Sequence, residues 1–345
     1  MKAVQLTGIR QMKLAEVATP KIVKDTDVLL KIEMVGICGS DVHYYEMGKI
    51  GSQVVEYPYI VGHECAATVA EVGKKVTRVK PGDAVAVDPA AACHKCDQCK
   101  MGRENTCRHL TFLGTPGQGD GCLCEYIVMP QECCFPITGK LSFEQATICE
   151  PFAIGVYSVK QAYLRKDVKI AILGSGPIGL SCMVAAKAEG VKAIYMTDKL
   201  DYRVEIAKKN CAVWGGNPDK QNIVKEILGK EPLGLDAVFE CAGDQAALTE
   251  AVALLRPGGF LVSIGIPRED KVWYYIDDLR RKEITIVNIR RQNECEQEAI
   301  DLVSSGKAKV DFMATHKFKL EQTQEGFETV AHYRDGVIKA IITID

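Results

Sequence analysis

Short apolar stretches separated by Gly, Pro and charged turns fill the first 140 residues of the chain. Runs of this length, bounded by turn residues, are typical of β-strands. We therefore predict a β-rich domain here, with strands at Asp27–Val35, Ala66–Val72, Gly82–Pro89, Cys124–Pro130 and Cys133–Ile137.

From Lys169 onward, apolar strands alternate with helical stretches. Such alternation predicts parallel strands joined by crossover helices. Arg256–Gly259 contains Pro and two Gly residues, and we predict that it stops a helix before a new strand. The predicted strands are Ile170–Leu173, Ala193–Thr197, Ala237–Glu240, Phe260–Ile266, Ile284–Ile289 and a final Ile338–Ile344, and the helices are Phe152–Gln161, Pro177–Glu189, Tyr202–Lys209, Gln245–Leu255 and Glu296–Ser305.

Composition narrows the class of protein. The 345 residues favour two domains. The 45 acidic and 43 basic residues nearly cancel, which argues against a nucleic-acid-binding surface. The start of the chain has no apolar h-region of a signal peptide, and no apolar run is long enough to span a membrane. We expect a cytoplasmic protein without nucleic-acid or membrane partners, whose 15 cysteines serve metal binding, catalysis or packing rather than disulfides.

A glycine-rich loop follows the first strand of the α/β part. The first glycine of such a fingerprint makes a tight turn, the second lets a pyrophosphate approach the backbone, and the third allows close helix–strand packing. The alternative is a glycine turn in an α/β protein that binds no nucleotide. The fingerprint residues here are Gly174, Gly176, Pro177, Ile178 and Gly179.

Asp198 ends the next strand, where a carboxylate would accept hydrogen bonds from the ribose hydroxyls of a dinucleotide. A carboxylate at that place repels a 2′-phosphate, so it favours NAD over NADP. Lys199 and Arg203 lie close in sequence and could weaken this preference.

Four cysteines with the spacing C-x2-C-x2-C-x7-C predict a closed structural zinc site. They are Cys93, Cys96, Cys99 and Cys107. An iron–sulfur cluster and free thiols are the alternatives, and the long last interval argues against the cluster. Nearby basic residues also leave open a zinc-ribbon module that binds nucleic acid, namely Lys95, Lys100, Arg103 and Arg108.

A second group of polar residues offers the ligands of a catalytic zinc, which binds about three protein side chains and keeps one position open. Cys38, His63 and Glu64 are suitable by type, and Glu150 precedes Pro151 at the predicted start of a helix. Sequence alone does not show that these residues converge. Cys38 could simply be buried, His63 could be a turn residue, and the two glutamates could be solvated.

Together these motifs resemble the zinc-dependent medium-chain dehydrogenase/reductase family, and within it the sorbitol (L-iditol)/xylitol dehydrogenase branch. The resemblance implies an α/β plus β fold, in which a GroES-like β-rich catalytic domain (1–155 and 290–345, with a structural-zinc lobe at about 90–110) contains an inserted Rossmann NAD-binding domain (156–289). The segments that carry it are Val35–Gly48, Gly62–Glu64, Lys80–Asp83, Glu150–Pro151 and Gly174–Gly179. Animal sorbitol dehydrogenases lack the complete cysteine lobe that this chain keeps.

The resemblance also implies roles for single residues. Cys38, His63 and Glu64 would ligate the catalytic zinc, Asp41 would orient His63, and Glu150 would lie at the site, with direct ligation left open. Ser40 and His43 would relay the proton of the substrate, and Ile264 would belong to the cofactor site. Residues matching the substrate pocket of the polyol branch are Tyr44, Phe112, Thr115 and Arg290.

The resemblance implies oxidation of a secondary hydroxyl of a polyol, of the sorbitol, xylitol, L-iditol or galactitol type, to the ketose, with NAD as the cofactor. It also implies one catalytic and one structural zinc ion in each chain, and a homodimer or homotetramer. Tyr44 could instead serve packing, and Arg290 with Arg291 could form a solvated turn or an ion pair between subunits. Another branch of the same family, such as L-threonine 3-dehydrogenase or a sugar-phosphate or sugar-acid dehydrogenase, is the alternative function.

Overall fold

The structure, a computed structural model, describes residues 1–165 and 167–344, and Lys166 and Asp345 lie outside the described residues. The chain divides into two compact units. Unit 1 comprises Met1–Glu150 and Glu296–Asp345, and unit 2 comprises Pro151–Cys295. These divisions differ by a few residues from the boundaries predicted at 155 and 290.

Unit 1 is built mainly from strands in its N-terminal part. Its strands are β1 (Lys2–Gly8), β2 (Gln11–Glu16), β3 (Asp27–Gly36), β4 (Lys49–Ile50), β5 (Gln53–Val54), β6 (Glu64–Val72), β7 (Ala84–Val87), β8 (Ala90–Ala91), β9 (Thr111–Phe112), β10 (Tyr126–Pro130) and β11 (Cys134–Pro136). Its helices there are α1 (Gly39–Met47) and α2 (Asp97–Lys100), and α3 (Phe143–Gln161) runs across the division into unit 2.

Unit 2 alternates strands and helices. Its elements are β12 (Lys169–Leu173), α4 (Pro177–Ala188), β13 (Ala193–Thr197), α5 (Asp201–Asn210), β14 (Trp214–Gly216), α6 (Ile223–Lys230), β15 (Leu235–Glu240), α7 (Gln245–Leu254), β16 (Leu255–Ser263), α8 (Ile276–Lys282) and β17 (Thr285–Asn288). The chain then returns to unit 1 with α9 (Glu296–Ser304), β18 (Ala314–Lys319), α10 (Thr323–Ala331) and β19 (Lys339–Thr343).

The main sheet of unit 1 has the strand order β11-β7-β6-β3-β19-β18, and β10 also pairs with β3. Its pairs are antiparallel except for β18 with β19. The inward side chains Val28, Leu30 and Ile32 of β3 are fully buried. The register places Gly36, the last residue of β3, opposite Glu64 on one side and Ile341 on the other.

The sheet of unit 2 is wholly parallel, with the order β14-β13-β12-β15-β16-β17. Numbered from β12, this is the order 3-2-1-4-5-6 of dinucleotide-binding sheets. Ile170, Ala171 and Ile172 of the central strand are fully buried, as expected for a strand covered on both faces. The predicted fold class, a β-rich domain interrupted by a parallel α/β domain, is confirmed.

One local prediction is wrong, and another is right only in part. Pro151 does not open a helix, because α3 already begins at Phe143 and contains Pro151 in its interior. The segment before the proline is itself helical, so the division between the units falls inside a continuous helix. A helix does stop before Arg256–Gly259, as predicted, because α7 ends at Leu254. The new strand already begins at Leu255, however, and the segment lies inside β16 between two paired stretches, since Leu255 pairs with Leu235 and Phe260 with Ala237.

Among the described residues, no helix has both the length and the apolar character that crossing a membrane requires.

Candidate metal centres and cofactor loop

Cys38, His63 and Glu64 converge in unit 1. Their sulfur, ring nitrogen and carboxylate oxygen atoms lie within 4.8 Å of one another. The strand register explains this convergence, because Glu64 begins β6 beside the end of β3, and Cys38 follows β3 by two residues as the N-cap of α1. We call these three residues the mixed site.

The buried Asp41 carboxylate ties together the two segments that carry the mixed site. One oxygen accepts a hydrogen bond from the Cys38 N–H at 3.2 Å. The other accepts from the Gly62 N–H at 3.2 Å and lies 3.4 Å from His63 Nδ1. Burial opposes the charged ring, but the negative charges of Asp41 and Cys38 outweigh it and raise the pKa of His63 well above its usual value.

Gly36 gives the Glu64 carboxylate its space. A Cβ atom at Gly36 would lie 2.3 Å from Glu64 Oε2 and 3.3 Å from a methyl group of Thr147. Any larger residue at the end of β3 would therefore displace the Glu64 carboxylate.

Lys339, on β19, contacts both segments that carry the ligands, and its role was not predicted from the sequence. Its Nζ donates to the two Glu64 carboxylate oxygens at 2.7 and 2.6 Å and to the Ile37 carbonyl at 3.2 Å. Burial opposes the charged form, but the negative charges of Glu64 and Cys38 raise the pKa of Lys339. A signal was present, since a lysine in an otherwise apolar strand is rarely buried without a charged partner.

Two buried glutamates lie beyond the mixed site. Glu150, on α3, is 4% exposed, and its Oε2 has no hydrogen-bond partner. Burial, reinforced by the charges of Glu64 and Asp88, raises the pKa of Glu150 to about 8. Glu296, the first residue of α9, is 1% exposed, and neither of its oxygens has a partner. Nothing in the sequence pattern around Glu296 indicated this burial.

The mixed site fits a catalytic zinc by the chemistry of its donors. One thiolate, one imidazole and one carboxylate make the three protein ligands that such sites use, and their mutual distances allow all three to reach one ion. Glu150 is not part of this group of three.

The other predicted residues of unit 1 differ in burial and in their contacts. Ser40 and His43 lie on α1 and are half-buried. The Phe112 ring lies 5.3 Å from the His63 ring, measured between centroids. Tyr44 is buried and its hydroxyl donates to Gln53 Oε1 at 3.1 Å, which supports a packing role as well. Thr115 is also buried.

The four predicted cysteines of the lobe also converge. Their sulfur atoms all lie within 4.8 Å of one another, with pairs as close as 3.6 Å for Cys96 and Cys99. Backbone N–H groups of Cys99 and Arg108 lower the pKa of Cys96 to about 6, which favours the thiolate that metals bind. Four thiolates at these distances fit a closed tetrahedral zinc site. We call them the cysteine lobe.

In unit 2, the glycine fingerprint adopts the conformation that a dinucleotide loop needs. Gly174 has a φ of +103°, and a Cβ at Gly179 would lie 1.8 Å from the Gly174 carbonyl oxygen. Pro177 is the first residue of α4 and Ile178 follows it. The Arg203 guanidinium lies 3.3 Å from where a Cβ of Gly176 would be, which places a positive charge over the loop.

Asp198 lies at the carboxyl end of β13, as predicted. Its carboxylate accepts hydrogen bonds from the Ser175 N–H at 2.8 Å and the Leu200 N–H at 2.9 Å, and one of its oxygens is 3.8 Å from Arg203. Lys199 points elsewhere, because its ammonium pairs with Asp244 at 3.0 Å.

Ile264 and Arg290 both follow strands of the parallel sheet. Ile264 comes directly after β16 and is half-buried. Arg290 comes shortly after β17 and is exposed.

Comparison with known proteins agrees with both units. A family model described as the alcohol dehydrogenase GroES-like domain matches residues 24–139, and one described as zinc-binding dehydrogenase matches residues 177–305. The chain is 38% identical to sorbitol dehydrogenase of Bacillus subtilis over 99% of its own length and 97% of that protein. The chain belongs to the zinc-dependent medium-chain dehydrogenase/reductase family.

Other relatives place this medium-chain dehydrogenase in the sorbitol/xylitol dehydrogenase branch. It is 34% identical to a probable D-xylulose reductase A of Aspergillus fumigatus, over 94% of this chain and 92% of the relative. The crystal structure of a putative zinc-binding dehydrogenase from Sinorhizobium meliloti, bound to NADP, superimposes with a TM-score of 0.91 at 28% identity, over 99% of this chain and 98% of that one. The protein is thus an oxidoreductase that uses zinc and a nicotinamide cofactor.

Proposed function

We propose that this dehydrogenase oxidises a secondary hydroxyl of a polyol of the sorbitol, xylitol, L-iditol or galactitol type to the ketose, with NAD as the hydride acceptor. The observation that carries the proposal is the mixed site, whose thiolate, imidazole and carboxylate lie within 4.8 Å of one another. The buried Glu150 carboxyl interacts electrostatically with two of these ligands, His63 and Glu64, and its Oε2 has no hydrogen-bond partner. The similarity to sorbitol dehydrogenase and D-xylulose reductase supports a polyol as the substrate class.

Each residue of the mixed site has a distinct part in this proposal. Zinc, when bound, supplies a Lewis acid that stabilises negative charge on the reacting oxygen. Cys38, His63 and Glu64 would hold the ion. Asp41 would fix the orientation of the His63 ring through its contact with Nδ1. Glu150 Oε2 has no partner and would accept a hydrogen bond from a substrate hydroxyl.

Ser40 and His43 would carry the proton away from the substrate. Both lie on α1 immediately after Cys38, and both are half-buried rather than sealed from solvent. An imidazole ring can accept a proton at one nitrogen and donate one from the other, so His43 suits the outer end of such a relay. Ser40→Ala should lower turnover while leaving NADH binding unchanged, and loss of NADH binding would contradict the relay.

NAD is proposed over NADP because of Asp198. Its carboxylate ends β13 and stays close to the glycine loop through the Ser175 N–H. Arg203, 3.8 Å from Asp198, is the cation that would receive a 2′-phosphate if the carboxylate were removed. We expect Asp198→Ser to move the ratio of kcat/KM values for NAD and NADP toward NADP, and an unchanged ratio would rule out the ribose role.

The proposed substrate class can be tested by NAD⁺ reduction with sorbitol, xylitol, L-iditol and galactitol, alongside L-threonine, a sugar phosphate and a sugar acid. We expect activity on one or more polyols. Activity on threonine alone, or on the phosphate or acid alone, would assign the protein to another branch of the family. Zinc should be measured in the same samples, and we expect two ions per chain, one for the mixed site and one for the cysteine lobe. The dimer or tetramer stays a prediction that sedimentation would test.

A further inference from the structure

We propose that Lys339 is a positioning residue of the mixed site, whose ammonium group joins the two ligand segments and fixes the Glu64 carboxylate for metal binding. The inference goes beyond the proposed reaction, resting on it only in taking Cys38, His63 and Glu64 as the ligand set.

The contacts of Lys339 support a bridging role. Its Nζ reaches the Ile37 carbonyl at the end of the β3 segment, one residue before Cys38. The same atom donates to both oxygens of Glu64, which follows His63. One ammonium group therefore connects the two short segments that carry all three candidate ligands.

Asp41 joins the same two segments by a different route. It bonds the Cys38 N–H and the Gly62 N–H, so it fixes the backbone on both sides and the His63 ring. It does not contact Glu64 in any hydrogen bond described for the chain. Lys339 thus supplies the constraint that Asp41 leaves out, namely the direction of the Glu64 carboxylate.

A stabilising ion pair does not account for the placement of Lys339. The side chain is 3% exposed and that of Glu64 is 1% exposed. Buried ion pairs contribute little net stability, because desolvation offsets their attraction. A buried pair does impose a definite geometry, however, since the loss of either partner leaves a charge without compensation. A metal site depends on such geometry, because neighbouring groups orient each ligand toward the ion.

The test is zinc binding at each of the two centres, measured by chelator competition on the full-length protein. In Lys339→Met, which keeps an unbranched side chain but lacks the terminal ammonium group and its charge, we expect affinity at the mixed site to fall about 10- to 100-fold. Affinity at the cysteine lobe should stay at its wild-type value and so reports that unit 1 is folded. Lys339→Arg should bind more tightly than the Met variant, because it retains the positive donors.

Lys317 offers the matched control. It is a lysine of the neighbouring strand β18 that pairs with Glu144 and is half exposed. Lys317→Met should leave both zinc affinities unchanged. Cobalt substitution adds a spectroscopic readout, since the absorption of Co²⁺ at the mixed site should change in Lys339→Met and stay unchanged in Lys317→Met.

A double-substitution cycle shows whether Lys339 acts through Glu64. If it does, Lys339→Met should weaken zinc binding little further once Glu64 is already Gln. Unchanged or tighter binding at the mixed site of Lys339→Met would overturn the proposal, as would equal weakening at both centres or an Arg variant no better than Met. Failure of every polyol to react would reject the proposed substrate while leaving these binding results intact.

Discussion

The two metal centres of unit 1 are assembled by the chain in opposite ways. The cysteine lobe takes all its ligands from one short segment, whose first and last cysteines are 14 positions apart. The mixed site joins the ends of two strands and is closed by Lys339, which is 275 positions from Glu64. A local spacing therefore predicts the first centre, whereas the second exists only once the sheet has its register.

The surroundings of the two centres differ as well. The cysteine lobe carries its charged groups at the surface, including the exposed pair of Arg108 and Asp97. The ionisable groups that interact with the mixed site are buried, among them Lys339, which contacts Glu64, and Glu150, which the charges of His63 and Glu64 affect. Buried groups with displaced pKa values accumulate where catalysis occurs. This difference supports the proposal that the mixed site performs the chemistry, whereas the cysteine lobe stabilises the fold.

The largest effect is expected from Cys38→Ser. Loss of this thiolate should remove zinc from the mixed site alone and reduce kcat/KM by about 10³-fold or more, because Lewis-acid stabilisation contributes several kcal/mol to the transition state. Zinc content should fall from two ions to one, as measured by atomic emission. Retention of both ions with full activity would show that Cys38 is not a ligand.

Cys96→Ser makes the opposite test at the cysteine lobe. We expect the zinc ion of the cysteine lobe to be lost and the free energy of unfolding to fall by about 4 kcal/mol, because loss of a bound metal is one of the few causes of a large loss of stability. The rate per mixed-site zinc should remain within a few-fold of wild type. A loss of kcat as deep as that of Cys38→Ser would remove the distinction between the centres.

Gly36→Ala should produce an intermediate effect. Its Cβ would overlap Glu64 Oε2, so the carboxylate must move, and zinc affinity at the mixed site should fall about tenfold or more. Gly119→Ala is the control, because a Cβ there would meet no atom within 4 Å. Equal zinc affinities for the two variants would mean that Glu64 has no fixed position.

Arg108→Ala should produce the smallest effect. Its exposed ion pair with Asp97 lies on the surface of the cysteine lobe, and exposed pairs contribute little. Zinc affinity of the lobe should change by less than about threefold. A larger change in a chelator titration would show that surface charge, and not only the four thiolates, determines metal binding there.

Residue patterns predicted much of this molecule because most of its signals are local. The four-cysteine spacing, the glycine fingerprint with its strand and helix, and the alternation of β and α elements each lie within one segment. The three mixed-site ligands were identified by type and by resemblance to a family, since no local pattern shows that Cys38 and His63 meet.

The remainder depends on long-range packing. Lys339 and Gly36 acquire their roles from strand register, which pairs residues far apart in sequence. The helix start predicted at Pro151 is wrong because proline favours the first turn of a helix, whereas α3 already begins at Phe143. Arg256–Gly259 does follow the end of a helix, but strand pairing already starts at Leu255, so the segment is an unpaired insertion within β16.

The position of β19 has a consequence for the biosynthesis of the protein. This strand lies between β3 and β18, although it is made after every element of unit 2. Domains fold largely as units while the chain is being synthesised, and long-range strand pairing is slow. Unit 2 is therefore available for folding while β3 still has an unpaired edge at Met34–Gly36. The mixed site is therefore completed only after β19 has been made, and until then the Met34–Gly36 edge can pair with strands of other chains.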